Sequence, residues 1–235
     1  MIIEFLYPAV GNLYGEAMHM RFIEQCFPEA QVINTQLTDM PAFHQQRVDF
    51  VFIGAMPEHG QERAIDSLNR YKDSLEAAIE SGVAFLATGN ALEIFGQYIE
   101  KEDGTKIPAL GIFPTYAKRD MAHRYNSLYL GDYKGINIVG YKAQFSHSYG
   151  EIGEEGAFST IRGDGLHPGA QFEGIHRNNF LGTYLLGPLL ILNPEFTKAW
   201  ALEATGKEIE IPYEAALYSA YQRRLSEYTR SGIKY

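Results

Sequence analysis

The sequence predicts a three-layer α/β/α sandwich on a mostly parallel central sheet with antiparallel additions, and three observations carry that expectation. Short apolar or β-branched runs alternate with stretches of helical spacing over roughly the first hundred residues, the pattern of parallel βαβ units. One alternation, Val83 to Gly96, runs from an apolar stretch through the polar corner Thr88-Gly89-Asn90 into a helical pattern. Such strand-turn-helix corners lie at the carboxyl ends of strands, where ligands and catalytic groups collect in open sheets. The chain, at 235 residues with no visible linker, also fits one large domain spanning residues 1–235.

In order, Ile2 to Tyr7 reads as a buried first strand, bounded by Pro8. Pro8 to Gly15 is a loop, and Glu16 to Phe27 has Met20, Ile23 and Phe27 at helical spacing. Gln31 to Thr35 is a second strand, and Val48 to Gly54, rich in β-branched and aromatic residues, a third. Ile65, Leu68, Leu75, Ala78 and Ile79 fit one long amphipathic helix over Glu62 to Ser81, with Gly82 suited to its C′ position. Val83 to Ala87 is the strand before the corner, and an amphipathic helix follows it.

From Tyr98 to Gly165 the segments are short and rich in glycine and tyrosine. Glu102-Asp103-Gly104-Thr105 signals a hairpin turn, and Ile136 to Gln144 and Ala157 to Ile161 read as strands added to the sheet. Asn178 to Leu186 is a late strand ended by Gly187-Pro188. Pro194 to Thr205, with Pro near its first position after Asn193, and Tyr213 to Tyr228 are the last helices.

Composition narrows the function classes. A formal charge of −9 with scattered Lys and Arg disfavours nucleic acid as a partner. The longest apolar run, Phe180 to Leu192, contains Gly182, Gly187 and Pro188 and is well short of the ~20 residues that cross a bilayer. No secretory signal is visible at Met1 to Leu6, so a cytoplasmic location is the default expectation. Cys26 is the sole cysteine, which excludes an internal disulfide and a cysteine-based zinc cluster. None of the seven histidines has metal-ligand spacing, so neither metal nor cofactor is expected; His147 and His176 are the two nearest the informative stretches.

Several stretches together resemble the class I glutamine amidotransferases of the cobyric acid synthase type, and most nearly the glutaminase subunits of lipid II isoglutaminyl synthase. Leu6-Tyr7-Pro8 through Asn12-Leu13-Tyr14-Gly15 is similar to that group's "LYP…NLYGD". Val51 to Glu58 is similar to its oxyanion-loop pattern "iGGGpd", with Ala55 and Met56 in place of two glycines. Ala87 to Gly96 stands against "A-I-C-G-G-Y-Q-L-L-G", Gly140 to Gln144 against "GFENH", and Asn179 to Leu190 against "NxIGTYLHGPLL". The order of the stretches is the family's own from residue 6 to residue 190. The resemblance implies a flavodoxin-like α/β/α fold and a glutaminase that supplies ammonia to a synthetase.

At the chemistry-bearing positions this chain departs from the family. The resemblance implies a cysteine nucleophile where Gly89 stands and a histidine base where Leu186 stands, and loss of either member of such a unit removes most of the rate. Ala91, Leu92, Glu93 and Gln144 also replace the family's Gly, Tyr, Gln and His. No catalytic pair is intact. The remaining pocket candidates are Gly54, Ala55, Glu58, Thr88, Gly89, Asn90, Glu93, Gln144 and Leu186.

Thr88 is a conceivable displaced nucleophile, but bonding the turn backbone or capping the helix that follows is the expected role of its hydroxyl. Cys26, at the end of the first helix, is expected to be buried and inert. Glu58, Glu93 and Gln144 are expected to face the old pocket, where they either bind a small polar ligand or fill a dead cleft. Tyr116, Tyr125, Tyr129, Tyr133 and Tyr141 form either a partner or homo-oligomer surface, or a scatter of unrelated tyrosines.

The leading expectation is a glutamine amidotransferase-like protein without glutaminase activity that binds a ligand or regulates a ligase- or synthetase-type partner. The alternatives are an enzyme that reuses the corner for other amide or ester chemistry, with Glu58 or Glu93 activating water, and an active amidotransferase.

Overall fold

The structure, a computed structural model, describes residues 1–186, 188–230 and Gly232. In chain order the first half comprises β1 (Ile2–Leu6), α1 (Glu16–Cys26), β2 (Gln31–Thr35), α2 (Ala42–Gln45), β3 (Phe50–Ile53), α3 (Glu58–Asn69), α4 (Lys72–Glu80) and β4 (Ala84–Thr88). A 3-10 turn, Gly89–Phe95, follows β4, and another, Leu13–Gly15, precedes α1. Next come the short strands β5 (Tyr98–Glu100), β6 (Lys106–Pro108) and β7 (Tyr116–Arg119), then β8 (Tyr125–Tyr133), β9 (Ile136–Gln144) and β10 (Ser146–Tyr149). The chain continues with β11 (Gly156–Arg162), β12 (Phe172–Arg177), β13 (Phe180–Thr183), α5 (Leu189–Leu192), α6 (Pro194–Thr205) and α7 (Glu214–Tyr228).

The main sheet has the order β2-β1-β3-β4-β13-β12-β11-β8-β9. Its β2-to-β13 half is parallel, and the strands from β12 to β9 extend it antiparallel. Alternate residues of the parallel strands feed two cores, as strands buried on both faces require. Leu6, Val51, Ile53 and Phe85 pack with Ile65 and Leu68 of α3 and Leu75 and Ile79 of α4. Ile3, Phe5, Phe50, Phe52 and Leu86 pack on the other face with Ile23 of α1 and Phe196 and Trp200 of α6. The expected three layers are thus present. The chain leaves β1 for β2 on one side and leaves β3 for β4 on the other, so the strand order reverses between β1 and β3, and ligands favour such points in open sheets.

Two of the expected helices differ. The single helix expected over Glu62 to Ser81 is two, α3 and α4, because Tyr71 leaves the helical region (φ −121, ψ 17). The break skips little of the apolar spacing, so Leu68, Leu75 and Ile79 are all fully buried, and periodicity alone cannot reveal it. The amphipathic helix expected after the corner is instead the tighter 3-10 turn Gly89–Phe95.

The irregular middle region builds a second sheet, β10-β7-β5-β6, which includes the hairpin across Glu102–Thr105. The stretch expected as one strand over Asn178 to Leu186 forms β13 only to Thr183, and Gly187 lies outside the described residues. Among the expected surface tyrosines, Tyr129 and Tyr133 belong to the core at 0% and 2% exposure. No helix among the described residues is long and apolar enough to cross a membrane.

Candidate functional site

Four chain segments converge at the carboxyl ends of β1, β3, β4 and β13. The loop after β1 leaves through Tyr7, in the left-handed region at φ 57, and returns to donate Leu13 N–H to the Ala55 carbonyl at 3.1 Å. Gly54 is required there: a Cβ on it would lie 2.5 Å from the Gly11 carbonyl oxygen and 3.0 Å from the Glu16 side chain. From the antiparallel half, Tyr141 of β9 accepts the Leu186 N–H at 3.0 Å, which draws the segment after β13 over the corner.

Gly89 is the first residue after β4 and takes φ +59, a conformation that side chains disfavour. A Cβ on Gly89 would lie 2.6 Å from the Ala55 Cβ and 3.0 Å from Leu186 Cδ2. The structure therefore brings together Ala55, Gly89 and Leu186, with no room for a side chain between them. What remains of the concavity is about 20 Å³, lined also by Tyr14, Glu58, Asn90, Gln144, Ser146 and Tyr184. That is room for about one water molecule.

Asn90, next along, is bound at both ends of its carboxamide. Met56 N–H donates to Asn90 Oδ1 at 3.0 Å, and Asn90 Nδ2 donates to the Met56 carbonyl at 2.8 Å. The reverse orientation of the amide would set N–H against N–H and oxygen against oxygen, so the assignment is unique. The loop after β3 is thereby fastened to the corner by its own backbone polar groups.

Glu93 does not face the pocket, contrary to expectation. It lies four residues after Gly89, and at about 120° per residue in a 3-10 turn, rather than about 100° in an α-helix, its side chain is rotated by roughly 80°. It is 3% exposed and accepts hydrogen bonds from Gln61 Nε2 (2.9 Å), the Tyr184 hydroxyl (3.0 Å) and the Ser146 hydroxyl. Burial pushes its carboxyl above the usual carboxylate range, against the opposing effects of Ser146, Gln61 and Arg119. Gln61 also donates to the Asn90 carbonyl and accepts from Arg119 at 2.6 Å. The Ser148 hydroxyl lies 2.7 Å from that of Tyr184, whose ionisation is driven well upward by burial and then by Glu93. This buried web is structural in its geometry: every oxygen of Glu93 is occupied.

Thr88 is fully buried, and its hydroxyl donates to Glu16 Oε1 at 2.7 Å, not to the turn backbone. Glu16 Oε2 in turn pairs with His19 Nδ1 at 2.9 Å, while Leu190 N–H donates to His19 Nε2 at 3.2 Å. Because Nε2 accepts, Nδ1 carries the proton towards Glu16. The hydroxyl of Thr88 faces a carboxylate on a buried path and has no histidine beside it.

Glu58, half-buried at the start of α3, is the one carboxylate in the cavity lining. Gln144 is 6% exposed and donates through Nε2 to the Ser146 carbonyl at 2.6 Å; the same nitrogen lies 3.3 Å from His147 Nδ1. That contact makes Nδ1 the acceptor, so the His147 ring is neutral with its proton on Nε2. Burial, reinforced by the Lys142 charge, pulls its pKa down to about 4. Gln144 Oε1 and His147 Nε2 have no hydrogen-bond partner. His176 lies elsewhere, 3.8 Å from Glu203 on α6. Cys26 is buried, with its thiol raised to about 12 by desolvation. No cluster of three or more metal-ligating side chains occurs among the described residues.

Of the pocket candidates, Ala55, Glu58, Gly89, Asn90, Gln144 and Leu186 share one lining, and Gly54, Thr88 and Glu93 lie outside it. Tyr14, Ala143, Phe145, Ser146 and Tyr184 of that lining, and Gln61 and Arg119 behind it, were not among the candidates. Tyr14 and Tyr184 sit inside the quoted motif stretches and could have been added from them. Ser146, Gln61 and Arg119 carry no local signal.

Residues 8–193 match the family of CobB/CobQ-like glutamine amidotransferase domains. The chain is 29% identical, over 89% of its length and 83% of the relative's, to the lipid II isoglutaminyl synthase (glutamine-hydrolyzing) subunit GatD of Staphylococcus aureus. It is 24% identical, over 92% and 86% of the two lengths, to the subunit of the same name from Streptococcus pneumoniae. The solved structure of PurLQS from Thermotoga maritima shares the fold at a TM-score of 0.53 and 10% identity, over 95% of this chain and 98% of that one. With a match that spans the converging loops and the strands β2, β3, β4 and β13 of the parallel half of the sheet, the chain belongs to the CobB/CobQ-like glutamine amidotransferase domain family.

Proposed function

We propose that this chain is a single-domain, glutamine amidotransferase-like protein that does not hydrolyse glutamine and acts as a non-catalytic subunit, binding or regulating a ligase- or synthetase-type partner. The observation that carries the reading is the packing at Gly89. In a nucleophile elbow the apex side chain projects into an open pocket, whereas a Cβ at Gly89 would meet Ala55 at 2.6 Å and Leu186 at 3.0 Å. The resemblance puts the nucleophile at Gly89 and the base at Leu186, and an aliphatic side chain pressed on a glycine neither attacks a carboxamide nor moves a proton. A cavity of about 20 Å³ also excludes the glutamine side chain. The partner class follows from the two relatives, each named as a subunit of a glutamine-hydrolysing synthase. Glutamate release from glutamine at neutral pH tests the reading. The expected rate equals the blank, and turnover well above it, or a glutamyl adduct in the intact mass, overturns it.

A second reading, hydrolysis of another small amide or ester, rests on Glu58. This residue lines both the small cavity and an adjoining groove of about 380 Å³ that also contains Arg119 and Met121. It requires saturable turnover that disappears in Glu58→Gln. Glu93 is no longer a candidate for that role, since its carboxylate faces Gln61, Ser146 and Tyr184.

A further inference from the structure

We propose that the Asn90 side chain is an internal ligand: its primary carboxamide fills a carboxamide-binding subsite formed by the Met56 backbone and keeps that subsite closed to carboxamides from solution. The inference deepens the non-catalytic reading by naming what occupies the site. A primary carboxamide offers one acceptor and two donors on a flat frame. Met56 presents the complement, an N–H and a C=O on the same residue, and Asn90 engages both at 3.0 and 2.8 Å. Met56 itself is 1% exposed, so neither group has water to fall back on. Asn90 is half-buried and lines the small cavity, so the subsite adjoins the remaining opening of the site.

The backbone of Asn90 is fixed independently, since its carbonyl accepts from Gln61 Nε2 and Gln61 is held by Arg119 and Glu93. Shortening the side chain therefore vacates the subsite and leaves its walls in place. What it would then take is a small primary carboxamide; a carboxylate would turn an oxygen towards the Met56 carbonyl, and a dialkylated amide has no N–H to give.

The test is a size-matched refilling. Asn90→Gly plus acetamide restores the atoms of the Asn side chain, and Asn90→Ala plus formamide does the same one carbon shorter. Thermal midpoints and amide NMR shifts of the full chain are followed with formamide, acetamide, acetate and N,N-dimethylacetamide. The expected result is that acetamide raises the midpoint of Asn90→Gly and shifts the Met56 amide, that formamide does so for Asn90→Ala, and that acetate and dimethylacetamide do neither. The wild type responds to none of the four. An equal response of the wild type, a response that ignores amide size, or no response to any carboxamide overturns the proposal. Should one variant fail to fold, the other still reads the subsite. Should both fail, Asn90→Leu decides by hydrogen exchange: it keeps the size but neither the acceptor nor the donor, so Met56 N–H exchange rising at least tenfold while Leu13 N–H is unchanged supports the pairing, and unchanged exchange at Met56 overturns it. Glutamate release by the wild type would defeat the non-catalytic reading without altering these binding patterns, so the two failures are distinguishable.

Discussion

Restoring a side chain at Gly89 should destabilise the protein without restoring chemistry. In Gly89→Cys the new Cβ lies 2.6 Å from the Ala55 Cβ and 3.0 Å from Leu186 Cδ2, and overpacking of this kind costs about 1–3 kcal/mol. The residue would also have to hold φ +59, which costs a non-glycine residue about 1–2 kcal/mol. The sum, about 2–5 kcal/mol, is a large part of the ~5–15 kcal/mol that holds a typical domain folded. Urea unfolding of wild type, Gly89→Cys and Gly89→Ala measures it, with the denaturant slope checking that the unfolded state is unchanged. Gly89→Ala should show most of the loss, since the clash is at Cβ. Because Ala55 supplies the shortest contact, Ala55→Gly combined with Gly89→Ala should recover at least about 1 kcal/mol relative to additivity. A Gly89→Cys protein within about 0.5 kcal/mol of wild type, the range of an unremarkable surface change, would refute the argument that the corner is filled. So would glutamate release by that variant.

Two further outcomes follow from buried charges. Lys142 Nζ, 2% exposed, reaches the Asp164 carbonyl at 2.6 Å and Glu173 Oε2 at 3.2 Å, and Glu173 Oε1 accepts from Thr183 and from Tyr184 N–H. Lys142→Met should cost about 3–5 kcal/mol by leaving Glu173 unpaired, and adding Glu173→Gln should return part of it in the same unfolding assay. For His147 the folded pKa is depressed from 6.5 to about 4, so the folded state binds fewer protons than the unfolded one. Its contribution, at most about 3 kcal/mol, is present above pH 6.5 and is lost as pH falls towards about 4. His147→Phe should flatten the stability profile across that window relative to wild type, and an unchanged slope would show that His147 is not its source.

The parts of the fold fixed by local pattern were legible in the sequence. β2, β9 and α6 have the expected ends, because a β-branched run, a turn with Lys134-Gly135 at positive φ, and Pro194 at the helix start each act locally. The second sheet was not legible: β7 pairs with β10 and β5 across loops whose residues are short, polar and mixed. Glu4 shows the same limit. It sits inside an apolar strand, yet it is fully buried because it accepts Thr35 Oγ1 and the Ala42 N–H at 2.6 Å and the Phe43 N–H at 2.9 Å, satisfying the start of α2. At the site, the motif stretches placed Gly89 and Leu186 in advance, and the structure brings them together. They could not place Glu93, because the difference between a 3-10 turn and an α-helix lies in backbone hydrogen bonding and not in apolar spacing.

The position of β13 in the main sheet has a consequence for how the chain folds. Phe180–Thr183 is the partner of Phe85–Thr88, about two fifths of the chain later, and it also joins the parallel half to the antiparallel half through β12. Loop closure over that separation comes late and slows folding. During synthesis the apolar strand Ala84–Thr88 is therefore an open edge until Thr183 has been made. An unpaired, buried-type strand of this sort is what templates wrong pairing between nascent chains. Variants that weaken β13 are thus expected to reduce yield through aggregation before they change the stability of the molecules that do finish folding.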